Sequence, residues 1–248
     1  MPRLLYLALV AALYSTTSQA QTVAGSPQPV IQVGFYEFPP YSYCDDQGRP
    51  QGPALRLTQR LLQQAGYQAH IRAYPSARLY SELQDGGVHI WPGAPGKPEL
   101  AEHTLESRTQ LGEAVLNLYF RRDTLLPRIP DDLYGRGLIL ISGYSYWPSV
   151  NRLIDDPALD IRQHRTGSHV SALEMLQRGR GDFLLDYQDP VEQARVELGV
   201  PELPFVQLHR LPLKLIISRH APGAEALRDA LDRAYQELRA AGADLSLN

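Results

Sequence analysis

Cysteine is nearly missing from this sequence: Cys44 is the only one in 248 residues. A single thiol cannot close an internal disulfide, so the chain must hold itself together by its core. Cys44 is not adjacent to a leader cleavage point, which indicates no lipoprotein anchor, and it reads as an inert loop thiol. Long apolar runs are scarce too. After the first twenty residues no stretch reaches the length, about 20 apolar residues, that crosses a bilayer. A basic excess is also lacking, since 24 lysines and arginines face 27 acidic residues. That balance gives no support for nucleic-acid binding, and no block of five or more basic residues points to a membrane surface.

Catalytic and cofactor motifs are equally thin. The seven histidines are scattered. His164 and His169 are five apart rather than the helical i, i+4 pair of a zinc enzyme, so no metal site is expected. Gly86-Gly87 and Gly93-Ala94-Pro95-Gly96 lack the ending of a phosphate loop, and Gly179-Arg180-Gly181-Asp182 does not follow a strand. No G-x-S-x-G nucleophile elbow occurs. Nothing here calls for a cofactor.

What is present starts with the leader. Met1, Pro2 and Arg3 precede an apolar run from Leu4 to Tyr14, and small and polar residues follow up to Ala20. This is the layout of a secretory signal peptide, with cleavage expected between Ala20 and Gln21. An exported, periplasmic protein of about 228 residues is expected, at net charge −4 once Arg3 is removed. That length suffices for one large domain or two small ones.

Two α/β series follow a flexible stretch, residues 21–29. In the first, Val30 to Phe35 is a β-branched strand, and a loop rich in proline and aromatics runs from Tyr36 to Tyr43. A helix opens at Pro53 and stops at Gly66; a strand spans Tyr67 to Tyr74; a helix runs from Ser76 to Gly86; and Val88 to Trp91 is a buried-type strand. Thr104 to Arg122 reads as extended chain broken at Gly112. The second series has strands at Leu138–Ile141, Leu159–His164 and Phe183–Leu185, with helices near Pro148, Ser168–Arg178 and Pro190–Leu198. One or two strands lie within Phe205–Ser218. Leu227, Ala230, Leu231, Ala234 and Leu238 then make the apolar stripe of a last helix, Ala224 to Ala241. Alternating strands and helices imply mostly parallel sheets flanked by helices.

The segments IQVGFYEFPPYSYCDDQGRPQG, YPSARLYSELQDGGVHI, LYGRGLILISGYSYW and ALEMLQRGRGDFLLDY, in that order and spacing, span most of residues 30–242. In this they resemble bacterial periplasmic solute-binding proteins of family 3, the polar amino-acid type. The resemblance implies a two-lobed α/β fold of the type II periplasmic-binding-protein kind. Residues 21–115 with 213–248 would form the first lobe and 116–212 the second. It also implies a small-molecule ligand held between closing lobes, a monomer, and a membrane ABC permease or sensor as partner.

The same resemblance nominates the ligand contacts. The loop after the first strand offers Phe35, Tyr36, Phe38 and Tyr41 as an aromatic wall. After the third strand, the family's amino-acid binders carry hydroxyls and then an arginine that clamps the carboxylate. Here Trp91-Pro92-Gly93 and Leu100 stand in those places, and Arg78 or Arg108 is left to substitute. In the second lobe Ser145 matches the carboxylate-binding hydroxyl, while Tyr144, Tyr146 and Trp147 can wall the cleft. The position of the ammonium-binding aspartate is Tyr187. Asp186 comes one residue early, on the opposite strand face, and Asp189 is a possible replacement. The candidate ligand contacts are therefore Tyr36, Phe38, Tyr41, Arg78, Trp91, Gly93, Tyr144, Ser145, Tyr146 and Asp186. With both halves of the clamp altered, flat or apolar-polar small molecules suit the cleft better than a free amino acid. Two alternatives stand beside a binding protein. One is an enzyme on the same scaffold, like the periplasmic cyclohexadienyl dehydratases, with Glu37 or Asp186 as acid or base. The other is a ligand-free docking module for a receptor.

Overall fold

The computed structural model describes residues 28–144 and 146–247. The expected leader, residues 1–20, lies outside them. Its strands are β1 (Val30–Phe35), β2 (Tyr43–Cys44), β3 (Pro50–Gln51), β4 (Gln68–Ala73), β5 (Ile90–Gly93), β6 (Thr104–Glu106) and β7 (Gly112–Phe120). They continue with β8 (Gly137–Ile141), β9 (Arg162–Thr166), β10 (Phe183–Tyr187) and β11 (Phe205–Ser218). The helices are α1 (Pro53–Gln64), α2 (Ser76–Asp85), α3 (Pro148–Ile154), α4 (His169–Gln177), α5 (Gln188–Leu198) and α6 (Ala224–Ala240).

Nine strands form one curled sheet in the order β4-β1-β5-β11-β7-β10-β8-β9, with β6 also paired to β11. Two parallel groups emerge from it. β4, β1 and β5 run parallel in one, and β10, β8 and β9 in the other. β11 and β7 join them. The first part of β11, Phe205–Leu213, pairs antiparallel with β7, and Lys214–Ile217 pairs antiparallel with β5.

Local sequence explains most of the elements. β8 (GLILI) is buried along its whole length, as a strand covered by helices on both faces must be. α1 starts with Pro53 at its first turn, where the missing N–H costs nothing, and buries Leu55, Leu57, Leu61 and Leu62. α6 turns its expected stripe inward through Leu227, Leu231 and Ala234. It also buries Asp232, whose carboxylate accepts from the backbone N–H groups of Arg108 (3.1 Å) and Thr109 (2.9 Å). That pair of bonds satisfies the buried charge and fastens α6 to the chain between β6 and β7.

One feature differs from the sequence reading, and two others make it more definite. A short β2–β3 hairpin replaces plain turn chemistry, held by Asp45, which accepts from the N–H groups of Gln47 and Arg49. The chain from Phe205 to Ser218 is one continuous 14-residue strand. It needs no break because it serves both groups, changing partner between Leu213 and Lys214. The extended chain from Thr104 resolves into two strands, with β7 starting at Gly112. Among the described residues, no helix is long and apolar enough to cross a membrane.

Candidate functional site

The carboxyl ends of the parallel strands in both groups open toward each other, the usual site-bearing end of an α/β sheet. The loop after β1 brings Tyr36, Glu37, Phe38 and Tyr41; the loop after β8 brings Gly143, Tyr144, Tyr146 and Trp147. At Gly143 φ is +78°, and an added Cβ would lie 2.4 Å from the Ser76 Oγ at the start of α2. Glycine is needed there on both counts, to take the left-handed conformation and to let the two groups approach.

Most of the predicted aromatic wall packs on itself. The Tyr36 ring lies 5.5 Å from Trp91, 6.3 Å from Tyr80 and 5.2 Å from Tyr144, centroid to centroid. Phe38 stacks on Tyr41 at 5.6 Å and meets Tyr187 edge-on at 5.0 Å. Tyr36, Phe38, Tyr41, Trp91, Tyr146 and Tyr187 are all buried in one hydrophobic cluster that spans both groups. Such ring pairs add about 0.5–1.5 kcal/mol each beyond the area they bury. The void left among Tyr36, Phe38, Trp91, Gly93 and Tyr187 measures only about 10 Å³, at most room for one water. Gly93 belongs to this packing, because a Cβ there would meet the Trp91 indole at 2.0 Å. Burial raises the phenol pKa values of Tyr36, Tyr41, Tyr144, Tyr146 and Tyr187, so all five are neutral donors or acceptors.

Beside this plug lies a cavity of about 750 Å³. Loops from both groups line it: Tyr36 and Glu37 after β1, Tyr74 to Ala77 after β4, and Ser142 to Tyr144 after β8. Gly167 to Val170 after β9, and Pro190, Gln193, Ala194 and Glu197 of α5, complete the wall. The first turns of α2 and α4 both face it. The lining mixes three tyrosine rings with serine hydroxyls, His169 and two carboxylates. It holds no lysine or arginine among the described residues.

Polar contacts tie the two sides together. The Tyr41 hydroxyl donates to Asp189 Oδ2 at 2.8 Å, and the Tyr144 hydroxyl donates to the Glu37 carbonyl at 3.0 Å. His169 Nε2 lies 3.1 Å from the Tyr144 oxygen, and its Nδ1 lies 2.7 Å from Asp186 Oδ2. Asp186 is fully buried, and its other oxygen accepts from the Tyr187 N–H at 2.8 Å. Lys97 is buried with its ammonium 4.4 Å above the Trp147 ring. Burial lowers the Lys97 pKa to about 8, with Glu99 partly opposing.

Of the ten candidate contacts, Tyr36 and Tyr144 reach both the ring cluster and the open cavity. Phe38, Tyr41, Trp91, Gly93 and Tyr146 are in the plug. Asp186 turns away from Tyr187, as the strand alternation required, and from behind the cavity wall it holds His169, which lines the cavity. Arg78 lies outside both: it is exposed on α2, paired with Glu82 at 3.2 Å and set over the Tyr74 ring. Arg108 faces Asp229 of α6 instead. Leu100 is buried in the core. Ser145 lies outside the described residues. Sequence reasoning missed His169, Tyr74 and Tyr80. His169 carried one usable signal, the first position of a helix following a strand, where an α/β sheet builds its site.

This fold, a mixed α/β curled sheet with flanking helices, is that of periplasmic-binding-protein-like structures. A sequence profile for the bacterial extracellular solute-binding proteins, family 3, matches residues 31–244, and the chain belongs to that family. Three solved structures illustrate the likeness. A histidine kinase sensor domain with similarity to periplasmic binding proteins superposes with a TM-score of 0.72 at 19% identity, over 87% of this chain and 92% of that one. An ancestral arginine-binding protein bound to arginine gives 0.70 at 16% identity, over 86% and 93%. An ancestral amino-acid-binding protein described as a precursor of cyclohexadienyl dehydratase gives 0.66 at 16% identity, over 86% and 91%. No curated protein sequence matches the chain.

Proposed function

We propose that this chain is a non-enzymatic periplasmic solute-binding protein that captures a small ligand between two hinged lobes and presents it to an ABC permease or a membrane sensor. The observation that carries this reading is the cavity of about 750 Å³ at which strand-end loops from both parallel groups converge. Its volume lies in the range of small-molecule sites. The lobes divide near residues 115 and 212, consistent with the exchange of β11 from β7 to β5 between Leu213 and Lys214.

The ligand enters the open cavity, with Tyr36 and Tyr144 as its aromatic contacts and the serine hydroxyls, His169 and Glu37 as polar ones. It is not a free amino acid gripped by the family's usual clamp. Leu100 is core, Pro92 and Gly93 bear no hydroxyl, and Tyr187 fills the place of the aspartate. A buried carboxylate with no paired cation is costly.

The self-packed rings favour one second reading, a docking module whose central gap is occupied by its own side chains. Thermal shift against a small-metabolite library separates the readings. One or a few stabilising compounds, recovered unchanged, support ligand capture. A stabiliser that is consumed replaces it with an enzyme, and an absence of any stabiliser favours the docking module.

A further inference from the structure

Four groups form an unbroken hydrogen-bonded row across the gap: Asp186, His169, Tyr144 and the Glu37 carbonyl. Counting protons along the row fixes its state. The Glu37 carbonyl can only accept, so the Tyr144 O–H must point to it, at 3.0 Å. The Tyr144 oxygen is then an acceptor toward His169 Nε2 at 3.1 Å, which requires an N–H on Nε2. The Asp186 carboxylate, already taking the Tyr187 N–H on its other oxygen, accepts from Nδ1 at 2.7 Å. With Asp186 ionised, every contact is satisfied together only when both ring nitrogens carry hydrogen, that is, when His169 is an imidazolium.

The neutral ring loses one contact. With the remaining proton held on Nδ1 by Asp186, Nε2 becomes an acceptor, and Tyr144 has a single hydrogen for two acceptors. Either the bond to Glu37 or the bond to His169 goes. The Glu37 bond joins the loop after β1 to the loop after β8, and so joins the two strand groups. We propose that His169 is a proton-operated latch: its imidazolium closes the two strand groups on each other through Tyr144 and Glu37, and loss of its proton draws the Tyr144 hydroxyl onto Nε2 and releases that tie.

The groups around this ring come from every neighbouring element. β10 contributes Asp186 and Tyr187, and the loop after β8 contributes Tyr144 and Tyr146. The loop after β1 brings Tyr36 and Glu37, and α5 brings Glu197 to the cavity wall while its Asp189 is taken up by Tyr41. Arg165 of β9 acts on Tyr146, and Glu174 of α4 is taken up by Arg178. Burial alone lowers the His169 pKa, but the Asp186 carboxylate and Glu37 outweigh it, and the ring titrates above its ordinary 6.5. A pKa raised in the closed form means that closure gains from protonation. That gain is complete below the ordinary value and is lost as pH climbs through the raised one. The latch shares Tyr144, His169 and Glu37 with the cavity wall, so it is tested on the protein with no ligand added.

Small-angle scattering of the purified protein from pH 5 to pH 9 tests it. The wild type is expected to show a radius of gyration that steps up on alkalinisation, with a midpoint above 6.5. Tyr144→Phe keeps the ring contact with Tyr36 and removes only the hydroxyl, and it should lose the step. His169→Gln should lose it as well. A flat wild-type profile, or a step that survives in both variants, overturns the latch. Should either variant fail to fold, the imidazole C–H resonances of His169 in the wild type decide: a titration midpoint at or below 6.5 overturns it.

Discussion

The Tyr41 hydroxyl donates to the Asp189 carboxylate across 2.8 Å, although the two residues stand 148 positions apart. Tyr41 follows β1 in one strand group, and Asp189 opens α5 in the other. The bond is therefore a clasp between groups rather than a local turn. Tyr41→Phe leaves the stack on Phe38 in place and removes the donor. A bond to a charged acceptor is worth about 1.5–3 kcal/mol when shielded, and Asp189 is only half-buried, so a loss of about 1–2 kcal/mol is expected. Urea unfolding measures it, and an unchanged midpoint would mean that water replaces the clasp at no cost.

Leu100 decides whether the family's carboxylate clamp can be restored by a single change. Its side chain is 2% exposed, in a short 3₁₀ turn that packs on the core. Leu100→Arg would bury a guanidinium among apolar neighbours. A destabilisation of about 3 kcal/mol or more is expected, with no gain of amino-acid binding in calorimetry. A stable variant that binds a free amino acid would show that this turn can swing toward the cleft.

Ala77 lines the open cavity and is itself exposed. Ala77→Trp should fill part of that volume while shifting stability by no more than about 0.5 kcal/mol, the usual range for surface changes. Any compound that stabilises the wild type in a thermal-shift assay should lose its effect on this variant. Retained binding would move the ligand out of the cavity.

Lys97 gives a pH signature of its own. Burial holds its folded pKa at about 8, against 10.5 for an ordinary lysine. Between those values the unfolded chain carries the extra proton, so stability rises with pH through that window. Relative to Lys97→Met, the wild type should gain as pH goes from about 8 to about 10.5, by up to roughly 3 kcal/mol. Denaturation curves at the two pH values measure the difference. A constant gap would mean that the ammonium is charged and well solvated throughout.

How far the fold was legible depended on how local its cause was. The apolar run of β8 and the stripe of α6 announce buried elements, and both lie where periodicity puts them. The two-residue strands β2 and β3 are too short for any periodicity to register. The candidate site was legible in composition but not in arrangement. Tyr36, Phe38, Tyr41 and Trp91 belong near the cleft, yet rings that wall a ligand and rings that pack on other rings are the same residue types. Asp186 was placed on the strand face opposite Tyr187 by alternation alone, but nothing local said that His169 would meet it from α4.

The sequence by itself determined the succession of strands and helices, through apolar spacing, prolines at helix starts and glycines at their ends. Those are interactions among neighbours a few residues apart, and every copy of such a pattern meets the same physics. Only the tertiary structure decided where open space remains: beside the aromatic plug rather than within it. That outcome rests on close packing among side chains more than a hundred residues apart, such as Phe38 against Tyr187 and Tyr36 against Tyr144. A small difference in how those rings interlock sets whether a gap is filled or left for a guest.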